Sequence, residues 1–320
     1  MMVLFAGSPA IAVPALEAVS GEEGIALAVL TSPDSPKGRG QTPQPCEIGE
    51  AAESICARLV AEGKPPVPIL KPHKLDAQAR EQVSALKPDV LVSFAYGHIF
   101  GPKFLALFPL GGINIHPSLL PKYRGPAPIP AAILNREAET GISIQKLAPQ
   151  MDSGDIIAQE RLPLTGRETS GSLGVIMAHR AAGLLPDVLQ DIAAGRARTT
   201  PQNHSEASYC SLLAKEDGLI DWNKSAAEID AMIRAFDPWP LCWTMHEGQK
   251  LFILKAEAVA HGGGGSTPGL VTGIDKEQGI LVQTGEGELA ITELQYQARK
   301  ALGWRAFLNG ARNFAGSRLG

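Results

Sequence analysis

Short apolar runs alternate with amphipathic stretches through the first part of the chain. Four runs are apolar almost throughout, as is typical of buried strands, and they lie at 2–6, 25–30, 67–70 and 89–95. Stretches with the helical spacing of apolar positions lie between them, ending near residue 20 and covering 47–63 and 74–86. Because strands and helices succeed one another in this order, the pattern predicts a Rossmann-like α/β domain with a mostly parallel sheet over residues 1–205.

The pattern continues with less regular spacing beyond residue 110. Strands are predicted at 112–116, 141–147 and 156–162, and helices at 127–134 and from Thr169 or Ser170 to Gly195. The first of these strands alternates apolar and polar positions and ends at a proline-bounded loop. The long stretch 31–45 is rich in Pro, Gly and Ser, so it is predicted to be a loop.

The pattern changes after residue 208. A polar stretch at 196–208 is predicted to be a linker, and a short helix follows at 226–235. Short strands separated by glycine-rich turns are predicted at 251–256, 269–272, 279–283 and 288–294. Such a series fits a small β-barrel resembling an OB-fold, so the sequence predicts a second domain over residues 208–320.

Composition limits the class of protein. The chain has 320 residues, 44% hydrophobic and 19% charged, which is typical of a globular protein with room for two domains. No run approaches the ~18 apolar residues of a membrane span, and the apolar start is too short for a signal peptide, so a cytoplasmic protein without a membrane partner is expected. The four cysteines are scattered, which argues against a disulfide framework or a zinc site.

The formal net charge of −4 does not indicate a nucleic-acid binder, but two segments are locally basic. The predicted loop at 31–45 carries Lys37 and Arg39. The segment from residue 294 to the end of the sequence carries Arg299, Lys300 and Arg305 and no Asp or Glu. Such a segment either contacts phosphates or forms a solvated helical face.

The candidate chemistry lies at the end of the strand at 112–116. Asn114 and His116 are two residues apart, so their side chains leave the strand on the same face. An amide donor beside an imidazole can polarise a carbonyl and move a proton. Downstream, Asp152 is able to hold the imidazole in one tautomer. Taken singly, each residue also has an ordinary interpretation, since an Asn near a turn is usually a cap and a strand His is usually only hydrogen-bonded.

Together, these residues and their surroundings carry a resemblance to a known family. Asn-Ile-His-Pro-Ser-Leu-Leu-Pro at 114–121, Arg124-Gly125 and Met-Asp-x-Gly-Asp at 151–155 resemble the 10-formyltetrahydrofolate-dependent formyltransferases. The resemblance implies that Asn114, His116 and Asp152 are catalytic and that 10-formyltetrahydrofolate is a co-substrate, with no metal. It places Arg124 either in a structural pair with a nearby carboxylate or in contact with substrate.

The same resemblance implies a folate site. Ser118, Leu119, Leu120 and Pro121 are expected to line it. The stretch that ends in Tyr-Gly resembles the strand-end motif of the family, so backbone groups of four residues are expected to meet the pterin: Phe94, Ala95, Tyr96 and Gly97. Without the resemblance, this stretch has the ordinary interpretation of a buried strand followed by a glycine-containing turn.

Three segments resemble the tRNA-modifying branch of the family. They are the loop at 33–40, the passage at 208–236 and Ala-Phe-Leu-Asn-Gly at 306–310. This implies formyl transfer to the α-amino group of methionine on initiator tRNA. A monomer is expected, because nothing in the sequence demands a larger assembly. The residues expected to contact the tRNA are Lys37, Arg39, Arg299, Lys300 and Arg305. The alternatives are an amino-sugar-nucleotide formyltransferase, a formyltetrahydrofolate hydrolase, and a catalytically silent RNA-binding or folate-binding protein.

Overall fold

The computed structural model of the chain describes residues 1–37, 41–259, 267–311 and 313–320, without the side chain of Lys37. The described residues form two compact units. The first comprises Met1–Pro128, Glu139–Leu162 and Gly174–Cys210, and the second comprises Ile129–Ala138, Pro163–Leu173 and Ser211–Gly320. The second unit therefore includes two segments that precede residue 205 in the chain.

A seven-stranded sheet forms the centre of the first unit. Its strands are β1 (Met2–Gly7), β2 (Ala26–Leu30), β5 (Ile69–Leu70), β6 (Val90–Phe94), β7 (Gly112–His116), β8 (Glu139–Lys146) and β9 (Ile156–Pro163). They lie in the order β5-β2-β1-β6-β7-β8-β9. Pairing is parallel from β5 through β7, and β8 runs antiparallel to β7. The predicted mostly parallel α/β domain is confirmed.

Six of the eight α-helices of the described residues follow the predicted positions closely, whereas α4 and α8 were not predicted. The eight helices are α1 (Val13–Gly21), α2 (Glu47–Ala61), α3 (Ala77–Ala85), α4 (Pro102–Leu105), α5 (Pro128–Leu134), α6 (Ser170–Ala193), α7 (Ala226–Ala235) and α8 (Trp304–Gly310). Within the first unit, β1, β2 and β6 are buried along nearly their whole length. Leu4, Leu30 and Leu91 from these strands pack with Phe104 of α4 in one apolar cluster. This burial accounts for the continuous apolar runs in the sequence.

The predicted loop at 31–45 contains two short strands. β3 (Ser35–Lys37) pairs with β4 (Thr42–Gln44) in an antiparallel sheet of their own. Both strands contain proline, and the residues of β4 are exposed, so no alternation of buried and exposed positions marks them in the sequence.

The second unit is built on an antiparallel sheet. Its strands are β10 (Cys242–His246), β11 (Gln249–Val259), β12 (Val271–Asp275), β13 (Gly279–Gln283), β14 (Glu288–Tyr296) and β15 (Leu302–Gly303). They lie in the order β10-β11-β14-β13-β12, with β15 also paired to β14. The predicted antiparallel β-domain is confirmed, whereas the predicted OB-like barrel is not, because no strand pairing joins β10 to β12 among the described residues.

The segment at 316–320 makes main-chain hydrogen bonds to both edges of this sheet. Val271 N donates to Ser317 O at 2.9 Å, on the side of β12. Gly320 N donates to Met245 O of β10 at 3.0 Å. Both outer strands therefore have part of their unpaired main chain satisfied by a segment that is not itself a strand.

The predicted linker at 196–208 is held to the first unit by hydrogen bonds. Thr200 exchanges two main-chain bonds with Ile156 of β9, at 2.9 and 2.8 Å. Ser208 accepts from Arg124 N at 2.9 Å through its carbonyl and from Tyr123 N at 2.9 Å through its hydroxyl. The polar composition that suggested a free linker instead supplies partners for the main chain of a neighbouring loop. We call residues 196–210 the joining segment.

Two further findings concern the described ranges only. None of the helices there is both long enough and apolar enough to cross a membrane. No group of three or more His, Cys, Asp or Glu side chains is placed there to hold a metal ion.

Candidate active site

Asn114 and His116 leave β7 on the same face, where β6 and β7 reach their carboxyl ends side by side. Asn114 is paired in register with Ser93 of β6 and, on the other side, with Gln145 of β8. His116 is buried, and Asn114 is half-buried. The carboxyl ends of parallel strands are the usual location of ligand sites in open α/β sheets.

The two ring nitrogens of His116 have different partners. Nε2 lies 2.8 Å from the carbonyl oxygen of Tyr123, and since a carbonyl only accepts, Nε2 carries a hydrogen and donates it. Nδ1 lies 3.6 Å from Asp152 Oδ2. Burial lowers the pKa of His116, although the Asp152 carboxylate and the bond to Tyr123 act in the opposite direction. The ring is therefore neutral near pH 7, with Nδ1 as its basic atom.

The Asp152 carboxylate accepts hydrogen bonds from three directions. Gly125 N donates to Oδ2 at 2.9 Å, and Gln145 Nε2 donates to Oδ1 at 2.9 Å. Asn114 Nδ2 also approaches Oδ1, at the longer distance of 3.4 Å. Asp152 has φ of 52°, a left-handed conformation that Asp tolerates better than most residues. The structure therefore brings together Asn114, His116 and Asp152.

Two glycines allow the main chain to pass close to this site. A Cβ on Gly125, whose φ is 116°, would lie 2.2 Å from the carbonyl oxygen of Cys210. A Cβ on Gly154 would lie 1.9 Å from the carbonyl oxygen of Lys146. Any larger residue would displace the loop that contributes Gly125 N or the turn that contributes Asp152.

The loop at 118–121 is fixed largely from inside the protein. Ser118 Oγ donates to Lys122 O at 2.7 Å, and Ser143 Oγ donates to Ser118 O at 2.7 Å. Leu120 N donates to Ser143 Oγ at 3.1 Å. The side chains of Ser118 and Leu120 are buried, whereas Leu119 and Pro121 are half-buried. A ligand at this loop therefore has access mainly to Leu119, Pro121 and main-chain groups.

The end of β6 alternates between buried and exposed residues. Phe94 and Tyr96 are buried, and Ala95 and Gly97 are exposed. The hydroxyl of Tyr96 is buried and has no hydrogen-bond partner among the described residues. Burial raises the pKa of Tyr96 to about 12, so the phenol keeps its proton near pH 7.

Three residues that were not predicted from the sequence also lie at the site: Gln145, Gln202 and His204. Arg124 does not pair with a carboxylate: its hydrogen bonds among the described residues go to Gln202, His204 and Tyr209. Gln202 in turn contacts Gln145 at 3.1 Å. The pairing of Gln145 with Asn114 depends on strand register, which the sequence does not show. Gln202 and His204 lie in the polar part of the joining segment, where no motif marked them.

The residues predicted to contact tRNA are placed as follows. The main chain of Lys37 lies in β3, while its side chain and all of Arg39 lie outside the described residues. Arg299 and Lys300 are exposed in the turn that follows β14 in the second unit. Arg305 is exposed in α8, where its guanidinium lies 4.8 Å from the centroid of the Trp304 ring and Nη2 donates to Lys276 O.

The sequence and fold have clear relatives. Residues 1–189 match the family model for Formyl transferase, and residues 212–312 match the model for Formyl transferase, C-terminal domain. A methionyl-tRNA formyltransferase from Treponema denticola is 48% identical over 320 residues, which covers 98% of both chains. A methionyl-tRNA formyltransferase from Chloroflexus aggregans is 41% identical over 313 residues, or 97% of both chains.

The fold is also similar to that of solved structures with much lower identity. An N-formyltransferase from Helicobacter canadensis, crystallised with folinic acid and dTDP-3-aminofucose, has a TM-score of 0.65 and 21% identity. The alignment covers 91% of this chain and 99% of that one.

Proposed function

The chain belongs to the formyl transferase family, and from this premise we propose that it transfers the formyl group of 10-formyltetrahydrofolate to the α-amino group of methionine on initiator tRNA. Relatives of 41–48% identity over nearly the whole chain are methionyl-tRNA formyltransferases. The observation that carries the chemistry is the convergence of Asn114, His116 and Asp152 at the end of β7. This reaction is favoured over sugar formylation, for which the likeness extends to the fold alone.

Asn114 is proposed to bind the formyl oxygen. Its amide carries two hydrogens, and the 3.4 Å contact with Asp152 Oδ1 occupies at most one of them. The remaining N–H is available to the negative charge that develops on the formyl oxygen as the amine attacks. A donor placed in this way is worth about 3 kcal/mol in comparable oxyanion sites.

His116 is proposed to accept the proton that the α-amino group loses. The ring is neutral because burial lowers its pKa, and Nε2 is already bonded to Tyr123 O, so the proton goes to Nδ1. The imidazolium that forms then faces the Asp152 carboxylate, whose negative charge stabilises it. As the bond between the formyl carbon and N10 breaks, His116 returns this proton to the N10 nitrogen of the departing tetrahydrofolate. General acid–base catalysis by a positioned His is typically worth ~10²–10⁴ in rate.

The residues at the end of β6 and in the loop at 118–121 fit the folate co-substrate. Ala95 and Gly97 expose main chain that can meet the hydrogen-bonding edge of a pterin ring, and the buried Tyr96 hydroxyl lacks a partner among the described residues. Backbone groups of Phe94, Ala95, Tyr96 and Gly97 would meet the pterin. The segment of Ser118, Leu119, Leu120 and Pro121 would line the folate site, mainly through the half-buried Leu119 and Pro121 and through main-chain groups. When bound, 10-formyltetrahydrofolate supplies the formyl carbon.

The tRNA is proposed to contact basic residues in both parts of the chain. Residues 1–205 act as the catalytic domain and residues 208–320 as the tRNA-binding domain. The contacts are assigned to Lys37, Arg39, Arg299, Lys300 and Arg305. Support comes from the exposure of Arg299, Lys300 and Arg305 and from the absence of acidic residues after position 293 in the sequence. Guanidinium and ammonium groups of this kind bind phosphates.

We expect the enzyme to act as a cytoplasmic monomer, because the proposed site is assembled from residues of one chain and its acceptor is an aminoacylated tRNA. Light scattering on the purified protein checks this, with the mass of a single chain as the expected value. A dimer at working concentration would contradict it.

The proposed function is tested by measuring acceptor use. The protein is incubated with 10-formyltetrahydrofolate and methionine-charged initiator tRNA, with water and a 4-amino-sugar nucleotide as competing acceptors. Formylmethionyl-tRNA is expected, and Asn114→Ala should reduce its rate of formation roughly 10²–10³-fold because one oxyanion donor is lost. Tetrahydrofolate released without formylated tRNA would instead indicate a hydrolase, and a formylated sugar would indicate a sugar formyltransferase.

A further inference from the structure

Arg124 is a buried guanidinium whose hydrogen-bond partners among the described residues are all neutral. It is 3% exposed. Nε and Nη2 donate to Gln202 Oε1 at 3.1 and 2.6 Å, and Nη2 also donates to His204 Nδ1 at 2.9 Å. Nη1 reaches the hydroxyl of Tyr209 at 3.4 Å. A buried charge without a compensating charge is energetically costly, so we expect a negative charge to lie within reach of Arg124.

The hydrogen bonds from Arg124 fix the orientation of the Gln202 side-chain amide. Its oxygen is used by Arg124, so its amide nitrogen must face the opposite way. Nε2 donates to Gly154 O at 2.7 Å, to Asp152 O at 2.9 Å and to Gln145 Oε1 at 3.1 Å. Because three acceptors surround Nε2, the Gln202 amide cannot adopt the flipped orientation in which its oxygen and nitrogen are exchanged.

Gln145 completes the connection to the catalytic carboxylate. Its oxygen accepts from Gln202, and its nitrogen donates to Asp152 Oδ1 at 2.9 Å. The orientation is determined at both ends, since a guanidinium only donates and a carboxylate only accepts. Gln145 and Gln202 are 2% and 6% exposed, so the two amide dipoles lie head to tail in surroundings of low dielectric, where each polarises the next.

We propose that Arg124, Gln202 and Gln145 form an oriented amide relay that holds the Asp152 carboxylate in place beside His116, which makes Gln145 and Gln202 positioning residues for formyl transfer. The proposal deepens the proposed function and rests on it. With Oδ1 held by Gln145, the second oxygen Oδ2 is left to face Gly125 N and His116 Nδ1. The aligned amide dipoles of Gln202 and Gln145 thereby connect the positive charge of Arg124 with the negative charge of Asp152.

Gln145→Met tests the relay with little other disturbance. Met is close in shape to Gln, Gln202 keeps two acceptors for its two hydrogens, and Arg124 keeps every partner. Only Asp152 Oδ1 loses a close donor. We expect kcat for tRNA formylation to fall about tenfold, the lower end of the losses seen when supporting contacts are removed at other sites. The KM for tRNA should not change.

The second readout is the titration of His116 by NMR in the ligand-free protein. Asp152 raises the pKa of His116, so a carboxylate that is held less firmly raises it less. The pKa of His116 in Gln145→Met is therefore expected to lie below the wild-type value, and the acid limb of kcat/KM should move to lower pH. Substituting a residue that only supports the fold would change the melting temperature and leave this titration unmoved.

Gln283→Met is the matched control. Gln283 is also a buried glutamine, 4% exposed, and its Nε2 donates to two main-chain carbonyls within the second unit. We expect this variant to lose stability while keeping the wild-type kcat and the wild-type His116 titration.

The relay requires that Gln145→Met both lowers kcat and lowers the pKa of His116. An unchanged kcat, or a lower kcat with an unmoved His116 titration, overturns the relay. If Gln145→Met fails to fold, Gln202→Glu is the second variant. A carboxylate at position 202 still pairs with Arg124 but cannot donate a hydrogen bond to Gln145. A wild-type kcat in Gln202→Glu would also overturn the relay. A wild-type protein that formylates no tRNA would overturn the proposed function, whereas the NMR titration tests the relay independently.

Discussion

At the scale of single residues, His116 is held between opposing influences. Burial favours the neutral ring, while the Asp152 carboxylate and the Tyr123 carbonyl favour the charged one, and burial has the larger effect. A base that is neutral before reaction and has an anion beside it afterwards suits the removal of a proton from an amine. The same balance makes stability depend on pH.

Acidification is expected to destabilise the protein partly through His116. An unfolded histidine titrates near 6.5, and burial lowers the folded value, so below about pH 6.5 the unfolded state binds a proton that the folded state does not. The free energy of unfolding should fall as pH decreases through that value and be retained above it. Urea unfolding between pH 5.5 and 7.5 measures this, and the slope should be shallower in His116→Gln.

His246 provides the comparison for this prediction. It is buried in β10, and burial lowers its pKa as well, so its contribution to the slope has the same sign. His246→Gln should therefore remove a different part of the dependence, and some slope should remain in either single variant. A wild-type slope in His116→Gln would contradict the assignment.

Whether a contact between two residues can be predicted from the sequence depends on how far apart the residues are along the chain. The shared face of Asn114 and His116 is readable because alternation along a strand is a local property. The partners Gln202 and Tyr123 are not readable, because they come from loops whose paths are set by tertiary contacts. For Arg124, a carboxylate pair was one of two alternatives, and among the described residues its nearest acceptors are instead two neutral side chains of the joining segment.

At the scale of elements, the start of α7 is determined by a capping box. Ser225 Oγ accepts from Glu228 N at 3.3 Å, and Glu228 Oε2 accepts from Ser225 N at 2.9 Å. The two bonds serve main-chain N–H groups at the start of the helix, where no carbonyl lies one α-helical turn back to accept them, and Glu228 N also donates to Ser225 O at 3.1 Å. This signal is local, which explains why the predicted range of 226–235 is confirmed.

Ser225→Ala should destabilise the second unit by about 1 kcal/mol, the typical cost of losing an N-cap side chain. Ser54→Ala in the interior of α2 is the matched control. The Ser54 hydroxyl donates to the carbonyl of Glu50 one turn back, which caps no free main-chain N–H, and Ala is the better helix former. Thermal unfolding of both variants checks the difference. Equal melting temperatures for the two variants would contradict the role of the cap.

β10 shows why some elements escape prediction. Its buried positions include Thr244 and His246, which are polar, so the alternation of apolar residues is broken. Each is satisfied by a distant partner: Thr244 accepts from Trp222 Nε1 at 3.0 Å, and His246 Nδ1 lies 2.7 Å from the hydroxyl of Tyr296. A polar residue inside a sheet is therefore recognisable only once its partner is known.

At the scale of the whole molecule, the negative net charge of the protein opposes binding of the negatively charged tRNA. A chain with a net charge of −4 does not attract RNA through a broad field, so the proposed binding depends on a few basic residues. Composition alone gave no indication of an RNA substrate, and this part of the interpretation came from resemblance. The two-domain organisation, in contrast, was visible in the change of hydrophobic pattern after residue 208.

Replacing basic residues is expected to raise the KM for tRNA and leave kcat nearly unchanged. For Arg39→Ala and for the double variant Arg299→Ala/Lys300→Ala, each lost phosphate contact should reduce the slope of log affinity against log salt by about 0.7–0.9. Lys64→Ala is the control, since Lys64 is an exposed lysine of the first unit that pairs with Glu62. A salt slope that equals the wild-type value would exclude the substituted residue from the contact surface.

The joining segment also limits how this family can be recombined. Chain between two units is normally where a chimaera is cut, because exchanging it disturbs little. Here a crossover placed between residues 196 and 202 would take Gln202 and Ser208 from a different parent than Arg124 and Asp152. Gln202 is bonded to both of these residues, and Ser208 is bonded to Arg124. Crossovers after residue 210 keep these partners together, so exchange of residues 211–320 between relatives should succeed there and lose activity when the crossover is made a dozen residues earlier.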